Sequence, residues 1–342
     1  MPFSTAFLNP AEAARQLGVS AKALRLYEQR GLLTPVRSAA GWRTYGPDQM
    51  ARAGDIAALR ALGLSLAAVT RVMDGEAEGL EPALARHQAG LEKEARQLAD
   101  TIEKVRGLRA DLATGKVPPA SELSRLVKPE AEISTAFDLP WPWGGERFEL
   151  RDIRPLNYIV GPLGSGKTRL AKRLAETLPG AKFLDLDRAK EMAGIKASLE
   201  ADSGLKSRVE RALAWLIEDG AIASDALLAL LSGLEAEGAT ALVIDMVEQG
   251  LDHTTQEALG AYLRQRGAGV RPLFLMTRSS AILDLAAIGP DEAIILCPAN
   301  HSPPSRVAPY PGAPGYEAVA TCLATPDVRA RTEGVIAWRP VA

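Results

Sequence analysis

One eight-residue stretch of the sequence carries residue types that can hold the phosphates of a nucleotide. Residues 161–168 read Gly-Pro-Leu-Gly-Ser-Gly-Lys-Thr, which fits the pattern G-x-x-x-x-G-K-[ST]. Glycines let the backbone curl so that its N–H groups point at phosphate oxygens, and a following helix adds a favourable dipole. Lys167 supplies positive charge to the β and γ phosphates, and the Thr168 hydroxyl can ligate Mg²⁺. We therefore predict that ATP with Mg²⁺ is bound by Gly161, Gly164, Ser165, Gly166, Lys167 and Thr168.

The flanking residues supply the strand and the helix that such a loop requires. Residues 156–160 have the character of a buried strand directly before the loop, and an apolar helical period runs from the loop to Leu178. A second apolar strand, residues 241–244, ends in Asp245, a position from which a carboxylate can hold Mg²⁺ through water. We predict an α/β P-loop domain with Thr168 and Asp245 at the Mg²⁺ ion.

Two further features of the same segment have open interpretations. Trp141 or Trp143 could stack on the adenine ring, or could pack against the sheet. Residues 298–315 are rich in proline and are predicted to be irregular. A helix and a strand predicted over residues 316–338 then complete the domain.

Residues 133–300 resemble the ABC-type or related AAA ATPases. The segment 245–252, Asp-Met-Val-Glu-Gln-Gly-Leu-Asp, resembles the stretch from the Walker B acid to the D-loop, and residues 273–283 resemble the strand and switch region that follow. Met246 stands where that family places its catalytic Glu, and Arg278 stands where it places a switch His. Water activation would then come from Glu248, our candidate catalytic residue, or from another group, or hydrolysis would be slow. We predict nucleotide binding and leave ATPase turnover open.

The N-terminal residues predict a helix-turn-helix. Two short helices flank a turn at Gly18, and the second helix presents Arg25 on its outer face, so that it can enter a major groove. Residues 37–45 have the pattern of a small hairpin, a wing whose Arg37 and Arg43 can reach the phosphate backbone. Two more helices are predicted over residues 48–62 and 66–73.

This ordered set resembles the MerR family of regulators. The matching residues are 14–20 (Ala-Arg-Gln-Leu-Gly-Val-Ser), 24–28 (Leu-Arg-Leu-Tyr-Glu), 30–33 (Arg-Gly-Leu-Leu) and 62–66 (Leu-Gly-Leu-Ser-Leu). The resemblance implies that a dimer binds and distorts a pseudo-palindromic site in double-stranded promoter DNA, where RNA polymerase is a further partner. It also implies DNA contacts by Arg25, Tyr27, Arg37, Arg43 and Tyr45. Ala23 and Leu26 depart from the family pattern, which affects base choice.

A long helix is predicted from Gly79 to Gly115. An apolar residue recurs every seventh position between mixed charges, which is typical of a coiled-coil seam. The MerR resemblance implies an antiparallel homodimer through this helix. Cysteine occurs only at positions 297 and 322, away from its ends, which disfavours metal sensing by thiolates. The seam residues are Leu84, Leu91, Leu98, Val105 and Leu112.

Composition is compatible with several compact units in one chain. The 342 residues, 47% of them hydrophobic, suffice for two or three domains. A formal net charge of −2 argues against a chain that coats nucleic acid along its whole length, whereas residues 1–60 hold eight Lys and Arg against four acidic residues. The sequence shows no leader and no apolar run that could span a bilayer, so we expect a cytoplasmic protein with no membrane partner.

These features predict a multidomain chain: an all-α winged helix-turn-helix, a long coiled-coil helix and an α/β P-loop NTPase domain. The predicted boundaries are 1–76 for the DNA-binding domain, 77–115 for the dimerisation helix, 116–132 for a linker and 133–342 for the nucleotide-binding domain. The predicted function is transcription regulation, with promoter binding or distortion modulated by ATP and Mg²⁺. The alternative is a P-loop ATPase or small-molecule phosphotransferase with an autoregulatory head and with Asp185 or Asp187 as a substrate-side acid.

Overall fold

The computed structural model describes residues 7–77, 79–118, 134–266 and 271–324. They form an N-terminal helical part, one long helix and a C-terminal α/β part. Most of the predicted linker, residues 119–132, lies outside the described residues, as does the strand predicted before residue 338.

The N-terminal part begins with two short helices around a tight turn. Helix α1 (Pro10–Leu17) starts at Asn9, whose side chain accepts backbone N–H groups of the first turn, and ends at Gly18, with φ of +67° in the left-handed region. Helix α2 (Ala21–Gln29) starts at Ser20, whose hydroxyl caps it in the same way. The predicted helix-turn-helix is confirmed, because its signals are local caps and a turn.

A small hairpin and two further helices complete this part. Strand β1 (Val36–Arg37) pairs antiparallel with β2 (Arg43–Thr44), and helices α3 (Pro47–Ala61) and α4 (Leu66–Met73) follow. The apolar faces of the four helices form one buried core, which stabilises α2 on α1 and α3. The core includes Leu24, Met50, Ile56, Leu66 and Val69.

Helix α5 (Leu80–Ala113) is the predicted long helix. Its five seam residues, from Leu84 to Leu112, are between 38% and 63% exposed in the single chain. A row of large apolar side chains on an otherwise charged helix is the kind of surface that a second helix covers.

The C-terminal part opens with a hairpin of β3 (Thr135–Asp138) and β4 (Arg147–Leu150). The strands of the main sheet are β5 (Leu156–Val160), β6 (Lys182–Leu184), β7 (Leu242–Ile244), β8 (Leu273–Met276), β9 (Glu292–Leu296) and β10 (Ser305–Val307). Their order in the sheet is β10-β9-β5-β8-β7-β6. All run parallel except the edge strand β10, which is antiparallel to β9. Because β8 lies between β5 and β7, the residues that follow β8 lie between the residues that follow β5 and those that follow β7.

Helices cover both faces of this sheet, which explains why its strands are apolar on both sides. The helices of this part are α6 (Lys167–Thr177), α7 (Met192–Ala201), α8 (Ser203–Glu218), α9 (Asp225–Glu235), α10 (His253–Gln265) and α11 (Tyr316–Cys322), with a short 3₁₀ turn at Arg188–Glu191. Helix α6 and the β3–β4 hairpin pack on one face of the sheet, and helices α8, α9 and α10 pack on the other. None of the helices in the described parts of the chain has the length and apolar character needed to cross a bilayer.

The prediction of irregular structure throughout residues 298–315 was wrong for three of them. Residues 305–307 form β10, in which Val307 lies opposite Ile294 of β9. Three residues between prolines show no usable alternation, so the pairing with β9 could not be foreseen from the sequence.

Candidate nucleotide site and its contact with the helix-turn-helix

Residues 161–168 form a tight backbone cradle between β5 and the start of α6. A side chain on Gly161 would collide with the carbonyl oxygen of Cys297, and a Cβ on Gly166 would lie 2.6 Å from the ring of Trp143. Gly164 and Gly166 have φ of +80° and +89°, a region that favours glycine. Only glycine therefore fits the two crowded positions, and the resulting curl at a helix N-terminus is the arrangement that binds phosphates.

The side chain of Lys167 lies within this cradle and is only 8% exposed. Its Nζ donates hydrogen bonds to the carbonyl oxygens of Gly161 at 2.8 Å and of Pro162 at 2.7 Å. Burial lowers the pKa of Lys167, and the charge of nearby Arg278 acts in the same direction. A buried ammonium next to a second cation is an environment suited to a polyanion.

Two carboxylates and a hydroxyl meet beside the cradle. Asp245 directly follows β7, is 7% exposed and shares a hydrogen bond with the side chain of Thr168. Burial raises the pKa of Asp245, and the nearby carboxylate of Asp185 raises it further. These oxygen donors suit Mg²⁺, which usually takes one or two carboxylates and completes its shell with phosphate and water oxygens. Asp185 joins the site that we predicted from Thr168 and Asp245.

The segment after Asp245 is held in place by a half-buried arginine that sequence reasoning missed. The guanidinium of Arg188 donates to the carbonyl oxygens of Asp245 at 2.8 Å, Met246 at 3.0 Å and Val247 at 3.1 Å. Met246 has φ of +41°, an unusual value for a residue with a side chain. Because the acceptors are backbone carbonyls, no pattern of residue types marks Arg188 in the sequence.

Glu248, the candidate catalytic residue, is 2% exposed. Its Oε1 accepts the backbone N–H of Arg278 at 3.0 Å, which ties the segment after β7 to the segment after β8. This geometry favours a positioning role, and the assignment of Glu248 as a general base stays a prediction.

The two tryptophans of the β3–β4 hairpin differ in surroundings. Trp143 is 4% exposed, packs under Gly166 and donates from Nε1 to the carbonyl oxygen of Ser302 at 3.0 Å. Trp141 is 69% exposed, and the guanidinium carbon of Arg169 lies 4.6 Å from the centre of its ring. Trp143 is therefore a packing residue, whereas Trp141 lies on the surface beside Arg169, and stacking of Trp141 on adenine stays a prediction.

The residues for which DNA contacts are predicted divide into exposed and buried sets. Arg25 and Arg37 are exposed, whereas Arg43 is half-buried and pairs with Glu28 at 2.9 Å. The two remaining residues, Tyr27 and Tyr45, are only 4% and 1% exposed and belong to the core of the N-terminal part. Their main role is packing, and a contact of either hydroxyl with DNA stays a prediction.

The helix-turn-helix contacts the C-terminal part through the end of α8. The carboxylate of Asp219, 3% exposed, accepts hydrogen bonds from Arg60 at 2.7 Å and 3.0 Å and from the backbone N–H of Leu66 at 2.7 Å. Its backbone carbonyl oxygen accepts a further hydrogen bond from Arg30 at 3.0 Å. One buried carboxylate thus connects α3 and α4 to the C-terminal part.

A second contact involves α2 and the start of α10. Lys22 Nζ lies 3.0 Å from Glu257 Oε1, and His253 Nε2 lies 3.1 Å from the same oxygen. Helix α10 begins directly after Asp252, at the end of the segment that starts with Asp245. About a dozen residues of continuous chain therefore separate Asp245, the candidate Mg²⁺ ligand, from Glu257, which contacts Lys22 of α2.

Comparison with known proteins identifies the N-terminal part. Residues 8–76 match the family described as "MerR HTH family regulatory protein". A "Probable heavy metal-dependent transcriptional regulator" of Haemophilus influenzae is 31% identical over 105 residues, which cover 29% of this chain and 82% of that protein. The chain belongs to the MerR family of helix-turn-helix regulators.

Solved structures with partial similarity include a MerR family regulator and an ABC transporter. One is HiNmlR, a MerR family regulator lacking the sensor domain, bound to promoter DNA; it has 23% identity, a TM-score of 0.24 and coverage of 33% of this chain and 93% of that one. Another is a metal-chelate type ABC transporter, with 14% identity, a TM-score of 0.34 and coverage of 51% of this chain and 81% of that one. Both TM-scores lie well below the range of a shared overall fold.

Proposed function

We propose that this chain is a MerR-type transcription regulator whose binding or distortion of promoter DNA is modulated by ATP and Mg²⁺. The observation that carries the proposal is the contact of Asp219 with α3 and α4 and of Glu257 with α2, because it connects the two parts of the chain that hold the candidate sites. Nucleotide can modulate DNA binding only if it binds two arrangements of the chain with different affinity, and we propose that these arrangements differ at this contact. Such couplings typically amount to about 1–3 kcal/mol, or roughly 5- to 150-fold in affinity.

The nucleotide would be held by groups that the fold already brings together. The N–H groups of the cradle and Lys167 would bind its phosphates, and Trp141 would stack on its base. Thr168 and Asp245, with Asp185 beside them, would hold the accompanying Mg²⁺. The phosphates of the nucleotide would place negative charge next to Lys167, and Mg²⁺ would place positive charge next to Asp245. Each charge offsets the cost of burying the ionised side chain beside it.

We propose binding rather than rapid turnover as the role of this site. Met246 offers no base, and one oxygen of Glu248 is already engaged with the backbone of Arg278. Slow hydrolysis of the bound ATP would return the regulator to its state without ATP. Fast, substrate-stimulated hydrolysis without DNA would instead favour the phosphotransferase alternative, in which Asp185 faces a substrate.

DNA recognition is assigned to α2 and to the β1–β2 hairpin. Replacing Arg25 by Ala removes an exposed guanidinium from the outer face of α2, and a base or phosphate contact of this kind is worth about 1–3 kcal/mol. We expect affinity for a fragment of the chain's own promoter to fall about tenfold or more in a fluorescence anisotropy titration. Arg109→Ala, at an exposed position of α5, is the matched control and should bind as the wild type does. Equal affinities of the two variants would exclude α2 as the reading helix.

Dimerisation is assigned to the exposed seam of α5. In Leu98→Glu a carboxylate replaces a leucine that a partner helix would bury, so we expect monomers in size-exclusion chromatography with light scattering. A monomer has only one DNA-binding part, so promoter binding should weaken by about 100-fold, as expected for loss of a linked binding site. Arg96→Glu introduces the same side chain on the opposite face of α5 and should leave the dimer intact. A dimeric Leu98→Glu protein would show that the seam lies elsewhere.

The proposed function is tested by promoter affinity measured with and without ATP and Mg²⁺. We expect the nucleotide to change the affinity of the wild type by a factor of about 5 or more and to leave Lys167→Ala unchanged. Identical affinities of the wild type in both conditions would reduce the chain to a promoter-binding protein without nucleotide control.

A further inference from the structure

We propose that a cleft between α5, α8 and α10 binds a small aromatic acid, that is, a planar ring that carries a carboxylate or phosphate group. None of the described residues that line this cleft is assigned above to ATP, Mg²⁺ or DNA. The inference therefore adds a second ligand site to the chain, and it does not require a nucleotide in the cradle of residues 161–168.

The cleft lies where three parts of the chain meet. Its volume is about 600 Å³, which is within the range of pockets that bind small molecules. It is lined by the turn at Gly63 between α3 and α4, by residues 86–91 of α5, and by residues of α8 and α10. A ligand in the cleft would therefore contact the N-terminal part, the long helix and the C-terminal part at the same time.

Positive charge dominates the lining of the cleft. Four arginines line it against a single acidic residue, Glu235. Two of the arginines, Arg86 of α5 and Arg211 of α8, are exposed and have no carboxylate partner among the described residues. Like charges around one cleft repel each other, and an anion that they share offsets this repulsion while it accepts paired hydrogen bonds from the guanidinium groups. The remaining two arginines are Arg208 and Arg266.

Two aromatic side chains supply the apolar surface of the cleft. The ring centres of Trp215 and Tyr262 are 5.6 Å apart, with a tilt of 49° between their planes. Trp215 Nε1 donates to the carbonyl oxygen of Gly63 at 3.1 Å, and the Tyr262 hydroxyl donates to Glu235 at 2.9 Å. Because the polar ends of both side chains already have partners, their ring surfaces are what they offer to a ligand. Aromatic rings and guanidinium groups both pack favourably on a planar ring.

Glu235 holds three of the lining side chains in place. Its carboxylate accepts hydrogen bonds from Tyr262 and Arg266, and its backbone carbonyl oxygen accepts Arg208 Nε at 3.0 Å. Side chains that are fixed before a ligand arrives lose less conformational entropy when it binds. The part of the cleft near Glu235 is therefore already formed in the unliganded chain.

The cleft borders the contact that joins the two parts of the chain. The guanidinium carbon of Arg60 lies 5.3 Å from the centre of the Trp215 ring, and the same guanidinium binds Asp219. An anion that contacts Arg86 and Arg211 together adds an attraction between α5 and α8. Such a ligand favours the docked arrangement over any arrangement in which the parts separate. We therefore expect it to slow hydrogen exchange of the Leu66 amide, which donates to Asp219.

The test uses defined aromatic acids and the full-length chain without nucleotide. In isothermal titration calorimetry, 2-naphthoate, 2-naphthyl phosphate or both should bind at one site per chain with a Kd below about 1 mM. The neutral amide 2-naphthamide keeps the ring without the charge and should bind about tenfold or more weakly than the better acid. Cyclohexanecarboxylate keeps the charge without a planar ring and should bind about threefold or more weakly than 2-naphthoate.

Two variants assign the binding to this cleft. Arg86→Gln and Arg211→Gln should each lower the affinity for the better acid about tenfold, because each removes a charged donor. Arg96→Gln on α5 and Lys206→Gln on α8 change exposed cations outside the lining, and both should bind as the wild type does. Thermal unfolding at the wild-type temperature shows that the two cleft variants are folded.

The outcomes separate this inference from the proposed function. If the wild type binds neither naphthyl acid, the inference is overturned, while nucleotide control of DNA binding is unaffected. Unchanged affinity in both Arg86→Gln and Arg211→Gln would place the ligand elsewhere and would also overturn it. Binding to the Leu98→Glu monomer but not to the wild type would mean that a second copy of the chain fills the cleft. Unchanged exchange at Leu66 with saturating ligand would contradict a site shared by the two parts.

Discussion

Replacement of Asp219 by Asn is expected to abolish the effect of nucleotide on DNA binding while leaving each binding event intact. The substitution removes the charge that pairs with Arg60 in a buried setting, where Asp219 is 3% exposed. Breaking a buried ion pair by removing one partner typically costs about 3–5 kcal/mol, because the remaining charge stays buried without compensation. The docking of α3 and α4 on the C-terminal part would then be weakened, while the contacts of Glu218 with Ser65 and Arg71 and of Trp215 with Gly63 remain.

Two measurements check this expectation. Hydrogen exchange of the amides of α4 should accelerate in Asp219→Asn, most clearly at Leu66, whose N–H donates to this carboxylate. Promoter affinity should become independent of ATP, while ATP affinity stays near the wild-type value. Glu210→Gln, an exposed acid on the same helix α8, is the matched control. If Asp219→Asn retained the full nucleotide effect, the coupling would run through another contact.

Lys167→Ala is expected to lower ATP affinity by about 100-fold or more. The ammonium is the charged donor inside the cradle, and each hydrogen bond between charged groups is worth about 1.5–3 kcal/mol. Because burial lowers the pKa of Lys167, its charged form opposes folding of the protein without nucleotide. Loss of this cost opposes loss of the two hydrogen bonds from Lys167 to Gly161 and Pro162, so the unliganded variant should unfold at about the wild-type temperature. The loss of ATP affinity can then be measured on folded protein.

Calorimetry with ATP and Mg²⁺ measures the loss of ATP affinity, and a thermal scan without nucleotide measures the unfolding temperature. Lys206→Ala removes an exposed lysine from α8 and should change neither quantity. ATP affinity within about threefold of the wild type in Lys167→Ala would mean that residues 161–168 do not bind the phosphates.

The local parts of this fold could be predicted from the sequence because their signals are local. The caps Asn9 and Gly18 fix the two ends of α1. Glycines in left-handed backbone conformations fix the shape of the cradle. The heptad spacing on α5 likewise predicted a helix with an apolar row, which the structure shows as a continuous helix. The pairing of that row with a second chain stays a prediction.

The contacts between the two parts could not be predicted in this way. Asp219 follows a helix end, where an acidic residue is usually solvated, and its partner Arg60 lies 159 residues earlier in the chain. Tyr27 and Tyr45 differ from their predicted role in another way. The family resemblance implies contacts with DNA, whereas the burial of both side chains shows that they pack in the core. Asp185 could be noted as an acid after a strand, but only the order of the sheet places it beside Asp245.

The most direct test of nucleotide control is a reciprocal binding measurement on the wild type. The affinity for ATP with Mg²⁺ is measured with and without saturating promoter DNA, and the affinity for that DNA is measured with and without saturating ATP. Linkage requires both ratios to be the same, and we expect a common factor of about 5 or more. A ratio of one in both directions would contradict nucleotide control, even if each ligand binds tightly on its own.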